Sequence, residues 1–102
     1  MEQATFCRAD APDGPRLLVA GEIDLAVAGS FASAVNELIT SATSAATIDL
    51  TGVAFFNSTG IGVLCDAAEQ ARQRGVALVV EPSDHVRRTL EITGLTDNFD
   101  LR

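Results

Sequence analysis

Along this chain the hydrophobic positions change period repeatedly, and each change marks an element. The opening run "QATFCRAD" alternates loosely, meets the turn cluster "APDGPR", and resumes as "RLLVAGEI". That pattern predicts a hairpin pairing Thr5–Arg8 with Arg16–Gly21. Val27, Phe31, Ala34, Val35 and Leu38 then keep helical spacing, continued by Ala42, which predicts a helix over about Val27–Ser41. "ATIDLTGV" is short and β-rich, with Ile48 and Leu50 on one face, as in a core strand. From Ser58 the apolar positions Ile61, Leu64, Cys65, Ala68 and Ala71 share one helical face. Arg72 and Arg74 suit the last turn of that helix and Gly75 suits its left-handed cap. "VALVVEP" is almost wholly apolar, which predicts a strand buried on both faces. Ser83 and Asp84 open a third helix through Val86 and Leu90, Gly94 ends it, and "NFDLR" supplies a last short strand.

The predicted order is β-β-α-β-α-β-α-β. Strands alternating with helices imply right-handed crossovers and a mostly parallel sheet of four to five strands, with the N-terminal hairpin as an antiparallel edge. The expected fold is therefore an α/β sandwich. A chain of 102 residues without repeat or linker is expected to form a single domain over residues 1–102.

Composition narrows the partners. Fourteen acids face seven arginines and no lysine, for a formal net charge of −7. That balance disfavours nucleic acid and anionic membrane surfaces, which are held through basic patches. The longest apolar runs are too short to span a bilayer, and "MEQATFCRAD" lacks the basic region and apolar core of a signal peptide. A cytoplasmic location is the expectation. Cys7 and Cys65 lie far apart with no metal-binding spacing, and the scattered aspartates define no metal site. Two free thiols are expected: Cys65 buried on the helix's apolar face, Cys7 at the sheet edge. No cofactor is called for.

The stretch Asn57-Ser58-Thr59-Gly60-Ile61-Gly62 carries the candidate chemistry. Gly60 and Gly62 form only part of a dinucleotide fingerprint, since Cys65 stands where a third small residue belongs. There is no phosphate-loop motif and no lysine to serve one. A nucleophile elbow would need glycine where Phe56 stands, and the lone histidine, His85, is expected to be simply solvated on a surface helix. Catalysis is therefore disfavoured. Asn57 or Ser58 as N-cap explains one polar residue here, for roughly 1 kcal/mol. It does not explain three in succession, nor two glycines in the first turns, where each costs up to about 1 kcal/mol. A helix N-terminus also tolerates an anion, so a serine there can carry a phosphate without unfolding the domain.

With "GEIDL", "TIDLTGVAFFNSTGIGVLCDAA" and "RGVALVVEPSDHVRRTLEITGL" the chain resembles the STAS domains over nearly its whole length, and among them the stand-alone bacterial anti-sigma factor antagonists. The resemblance implies a STAS-like sandwich with helices mainly on one face of the sheet. It places the phosphorylation site at Ser58, with Thr59 as second choice, and matches Asp24 to the acidic residue of the neighbouring loop. Asn57 departs from the family's usual Asp, keeping the size and capping ability but losing the charge.

The resemblance further implies a partner-switching cycle and no enzymatic activity of the chain itself. An anti-sigma factor with serine-kinase activity is bound by the unphosphorylated protein, which frees the sigma factor. Phosphorylation breaks the complex, and a metal-dependent serine phosphatase resets it. The expected partner-binding surface comprises Asp24, Asn57, Ser58, Thr59, Gly60, Gly62, Asp66 and Glu69. The alternative is a STAS subunit that docks onto a lipid-transport ATPase or sensory complex without reversible phosphorylation.

Overall fold

The computed structural model describes residues 4–102. Met1–Gln3, which belong to the expected 1–102 domain and the first expected run, lie outside the described residues. Five strands and three α-helices follow in the order β1 (Ala4–Ala11), β2 (Gly14–Ile23), α1 (Ala28–Ser41), β3 (Ala45–Phe56), α2 (Ser58–Arg74), β4 (Ala77–Pro82), α3 (Asp84–Ile92) and β5 (Asp100–Leu101), with a short 3-10 turn at Thr96–Asn98 before β5. The sheet order is β1-β2-β3-β4-β5, antiparallel between β1 and β2 and parallel elsewhere.

Strand order that follows chain order has a consequence for the layers. Each parallel step moves the same way across the sheet, so right-handed crossovers send every helix to the same face. Leu17, Val19, Ile23, Ile48, Leu50 and Val80 from the strands share one buried cluster with Phe31 and Leu38 of α1, Leu64 and Ala67 of α2, and Val86 and Leu90 of α3. The alternating side chains, Thr5, Cys7, Leu18, Ala20 and Thr51, point away from the helices and are exposed. On that outer face Arg16 of β2 forms ion pairs with Asp49 of β3 and Glu81 of β4, crossing beside the buried Thr47.

This one-sidedness corrects the expectation for β4. Val80 is fully buried and Leu78 packs partly against the same core, whereas Val79 and Glu81 on the opposite side of the strand are only half-buried, since no second helical layer covers the outer face. Strand β3 also runs three residues beyond the predicted "ATIDLTGV", as far as Phe56. Its pairing with β2 shifts register twice, between Leu18 and Ala20 and between Gly21 and Glu22, with the extra residue on β3 each time. Those bulges re-aim the strand so that Val53 and Phe56 both reach the core.

Helix α2 ends as its sequence predicts. Arg72 and Arg74 occupy the last turn, and Gly75, at φ 72°, donates its N–H to the carbonyls of Ala71 and Arg72. Cys65 is not fully buried as expected. It is half-exposed and lines a groove between α2 and the Asp97–Phe99 turn. Cys7 is exposed on the outer sheet face and Cys65 belongs to a helix on the other, so the two thiols cannot reach disulfide geometry. Titration of the monomer after mild oxidant exposure is expected to find two free thiols, and loss of both without dimer formation would contradict this arrangement.

Candidate functional site

The site is built at the carboxyl ends of the parallel strands, where open α/β sheets commonly place their binding surfaces. At the end of β2 the chain turns sharply. Asp24 Oδ1 accepts the Ala26 N–H at 3.0 Å, and its carbonyl accepts the Val27 N–H at 3.2 Å, forming an Asx turn. The neighbouring β3 leaves the sheet at Asn57, whose N–H donates to the Ile23 carbonyl at 3.4 Å. That bond holds the Asp24 turn and the start of α2 side by side.

Asn57, not Ser58, caps α2. Its Oδ1 accepts the N–H of Thr59 at 3.0 Å and of Gly60 at 3.4 Å, while its carbonyl accepts the N–H of Ile61 at 3.1 Å. Ser58 is therefore the first helical residue. Its side chain is exposed, and among the described residues its hydroxyl has no hydrogen-bond partner. Thr59 is half-buried beside it. Capping is satisfied without Ser58, which leaves that hydroxyl free for an external group.

The two glycines have different reasons. A Cβ at Gly60 would lie 2.8–3.0 Å from three carbons of the Phe56 ring, so this buried position admits only glycine without rearrangement. A Cβ at Gly62 would meet nothing within 4 Å. Gly62 is exposed, helical and structurally unnecessary.

Of the expected surface, the structure brings together Asp24 and Asn57, Ser58, Thr59, Gly60 and Gly62. Asp66 is exposed two turns along α2, on the wall of a groove of about 220 Å³ shared with Ala32, Val35 and Asn36 of α1. Glu69 stands apart. It is roughly 16 Å along the helix axis from Ser58, engaged with Arg72 and Gln73, and faces the groove that contains Cys65 and Phe99.

Three side chains at this end were not legible as site residues. Leu25, in the Asp24 turn, is 76% exposed, and Phe55 beside the corner is 43% exposed. His85 was expected to be solvated, yet it is half-buried. Its ring lies 5.6 Å from that of Phe55, and Nε2 is 3.4 Å from the Phe56 carbonyl oxygen. The only sequence signal was contextual: an isolated Leu in a turn, and an aromatic doublet whose members must face opposite sides of a strand. Among the described residues no group of three His, Cys, Asp or Glu is placed to hold a metal ion, and no helix is long and apolar enough to cross a membrane.

A one-sided α/β sandwich with an unengaged serine opening its second helix is the class these features define. The chain belongs to the STAS domain family: the family model described as "Mlab, STAS domain" matches residues 7–102. An anti-sigma-B factor antagonist of Listeria monocytogenes is 38% identical over 87 residues, 84% of this chain and 76% of the relative. The crystal structure of an anti-sigma factor antagonist from Mycobacterium paratuberculosis superposes with a TM-score of 0.82 at 28% identity, covering 96% of this chain and 84% of that one. The Bacillus cell fate determinant SpoIIAA in its phosphorylated form gives a TM-score of 0.69, over 96% of this chain and 91% of that one. At 16% identity, that likeness is one of fold alone.

Proposed function

We propose that this protein is a cytoplasmic anti-sigma factor antagonist, switched at Ser58. Unphosphorylated, it binds an anti-sigma factor through the Asp24 turn and the Asn57–Gly62 corner, and so frees the sigma factor. The anti-sigma factor's serine-kinase activity then moves a γ-phosphoryl group from ATP to the Ser58 oxygen. The oxygen–phosphorus bond to ADP breaks and the hydroxyl proton passes to the kinase. Close to two added negative charges at the interface expel the partner, and a metal-dependent serine phosphatase restores the hydroxyl. The observation that carries this reading is the exposed Ser58 hydroxyl, unengaged at a helix start that Asn57 alone has already capped. The names of the relatives supply the partner class, and a protein of this fold has been solved in phosphorylated form.

A second reading keeps the same surface but docks it onto a lipid-transport ATPase or sensory complex without reversible phosphorylation. Asn57 favours it, since a carboxamide can neither pair with a cation as an acid does nor accept a proton. A pull-down from the native cytoplasm, wild type beside Ser58→Asp, separates the two. An anti-sigma kinase captured by wild type and lost from Ser58→Asp supports the first. A transport ATPase or sensory complex captured by both supports the second.

Leu25 gives an independent check on the footprint. A side chain 76% exposed beside the corner contributes little to folding, so Leu25→Ala is expected to leave the melting temperature unchanged. Affinity for the anti-sigma partner should fall roughly fivefold, about 1 kcal/mol. Unaltered affinity would place Leu25 outside the contact.

A further inference from the structure

We propose that the free edge of β1 pairs with the β1 edge of a second copy of this chain, centred on Ala9, so that Arg8 of each copy meets Asp10 of the other. The inference concerns the opposite end of the sheet from Ser58 and is independent of the reading of that residue. Strand β1 ends the sheet and pairs with β2 on one side only. Its register runs unbroken from Ala4 to Ala11, with no bulge and no proline to spoil a further partner. Pro15 lies opposite Asp10 and has no N–H to give, so the two form a non-bonded pair of the hairpin. By alternation Cys7, Ala9 and Ala11 spend their backbone groups on β2, while Phe6, Arg8 and Asp10 turn theirs outward. Side chains alternate too. Arg8 reaches Ser41 of α1 at 2.9 Å, so Arg8 and Asp10 stand on the helix side of the edge. Both are exposed, and among the described residues neither forms an ion pair.

That spacing is self-complementary. A second antiparallel β1 must oppose outward-facing residues to outward-facing residues, which leaves two-fold axes on Cys7, Arg8 or Ala9. An axis on Arg8 sets the two arginines face to face. One on Cys7 opposes Arg8 to Phe6 and Asp10 to Ala4, leaving every charge without a counter-ion. Only the axis on Ala9 opposes Arg8 to Asp10, and symmetry repeats that pair in the other direction. Each such pair exchanges both backbone bonds and adds a cross-strand ion pair. On the outer side the contact is made by Cys7, Ala9 and Ala11, all small. Like charges would guard this edge against a second copy; opposite charges at alternate positions favour it. The axis lies near the hairpin turn, at the far end of β2 from Asp24, so the Ser58 corner of each copy stays open and the dimer is bivalent.

Sedimentation of the full chain should show a reversible monomer–dimer equilibrium that weakens as salt is raised. Arg8→Asp and Asp10→Arg should each weaken the dimer roughly tenfold or more, since attraction becomes repulsion at both symmetric pairs. The double variant should restore it. Ala9→Cys, made with both native cysteines replaced by serine, tests the register without altering charge, and so decides the matter even where a charge variant fails to fold. Across a non-bonded pair the Cα atoms stand about 4.5 Å apart, within disulfide range, so mild oxidation should cross-link this variant into a dimer. Wild type should not cross-link through Cys7, which would lie roughly 13 Å from its own copy. A chain that stays monomeric up to about 1 mM leaves this edge to solvent or to a strand of another protein, and overturns the proposal. So does a dimer indifferent to both charge reversals, or one that cross-links through Cys7 and not through Ala9→Cys.

Discussion

Ser58→Asp is expected to fold like wild type while losing at least ~10-fold in affinity for the anti-sigma partner, ~1.4 kcal/mol. The two halves of that expectation have separate causes. Folding survives because Ser58 contributes no hydrogen bond to the cap, which Asn57 provides, and because its side chain is exposed. A carboxylate in the first turn also gains slightly from the helix dipole, on the order of 0.3–1 kcal/mol. Binding is expected to weaken because the proposed complex would bury that carboxylate at the interface, and an unpaired buried charge is costly. Ser58→Ala is the companion variant: with no intramolecular bond to lose, it should keep both the melting temperature and the affinity. Calorimetric titration of the partner against all three proteins reads the effect directly. Unchanged affinity for Ser58→Asp would remove Ser58 from the interface.

Much of this architecture was legible because local signals and global topology agree. The period of Ile61, Leu64, Ala68 and Ala71, closed by Arg72, Arg74 and Gly75, specifies α2 and its C-terminus without reference to any neighbour. The hairpin of Thr5–Arg8 with Arg16–Gly21 also follows from the chain, and the structure sets its register, with Thr5 opposite Ala20 and Arg8 opposite Leu17. What the residues did not reveal depends on other parts of the molecule. The apolar run of β4 is compatible with two covering layers or one, and only the common hand of the crossovers decides for one. The true end of β3 was hidden by two bulges, which break the alternation that would have carried the strand to Phe56. Leu25 resembles a core residue in sequence, and its exposure follows from the Asx turn that lifts it off the sheet. His85 was read as solvated because nothing in its helix shows that the Phe55 ring, thirty positions earlier in the chain, lies beside it. Asn57 and Ser58 were equivalent as caps until hydrogen bonds assigned the role to Asn57.

The same substitution, Gly→Ala, is expected to act with opposite sign at positions 60 and 62. Both glycines belong to the first turns of α2 and carry the same intrinsic penalty, about 0.8–1 kcal/mol relative to alanine. At Gly62 nothing opposes relief of that penalty, since a Cβ there meets open space. Gly62→Ala should therefore raise the melting temperature by about 4–8 °C. At Gly60 the new methyl would meet the Phe56 ring at 2.8 Å. That ring is only 2% exposed and packs edge-on against Phe31 at 6.2 Å, and Phe31 in turn stacks on Phe6 at 6.1 Å. The ring has no room to swing aside, and overpacking of this kind costs roughly 1–3 kcal/mol or more. For an overpacking cost toward the upper part of that range the loss exceeds the propensity gain, so Gly60→Ala should lower stability by a net of up to about 2 kcal/mol. Denaturant or thermal melts of the two variants settle the comparison; shifts of the same sign would mean that the Phe56 ring is not locked beneath Gly60. The binding measurement then adds what stability cannot. No packing requirement explains a glycine at 62, and in the proposed complex the partner approaches the helix surface there, so the more stable Gly62→Ala is expected to bind it less tightly. A stabilised Gly62→Ala with wild-type affinity would take this stretch of α2 out of the interface.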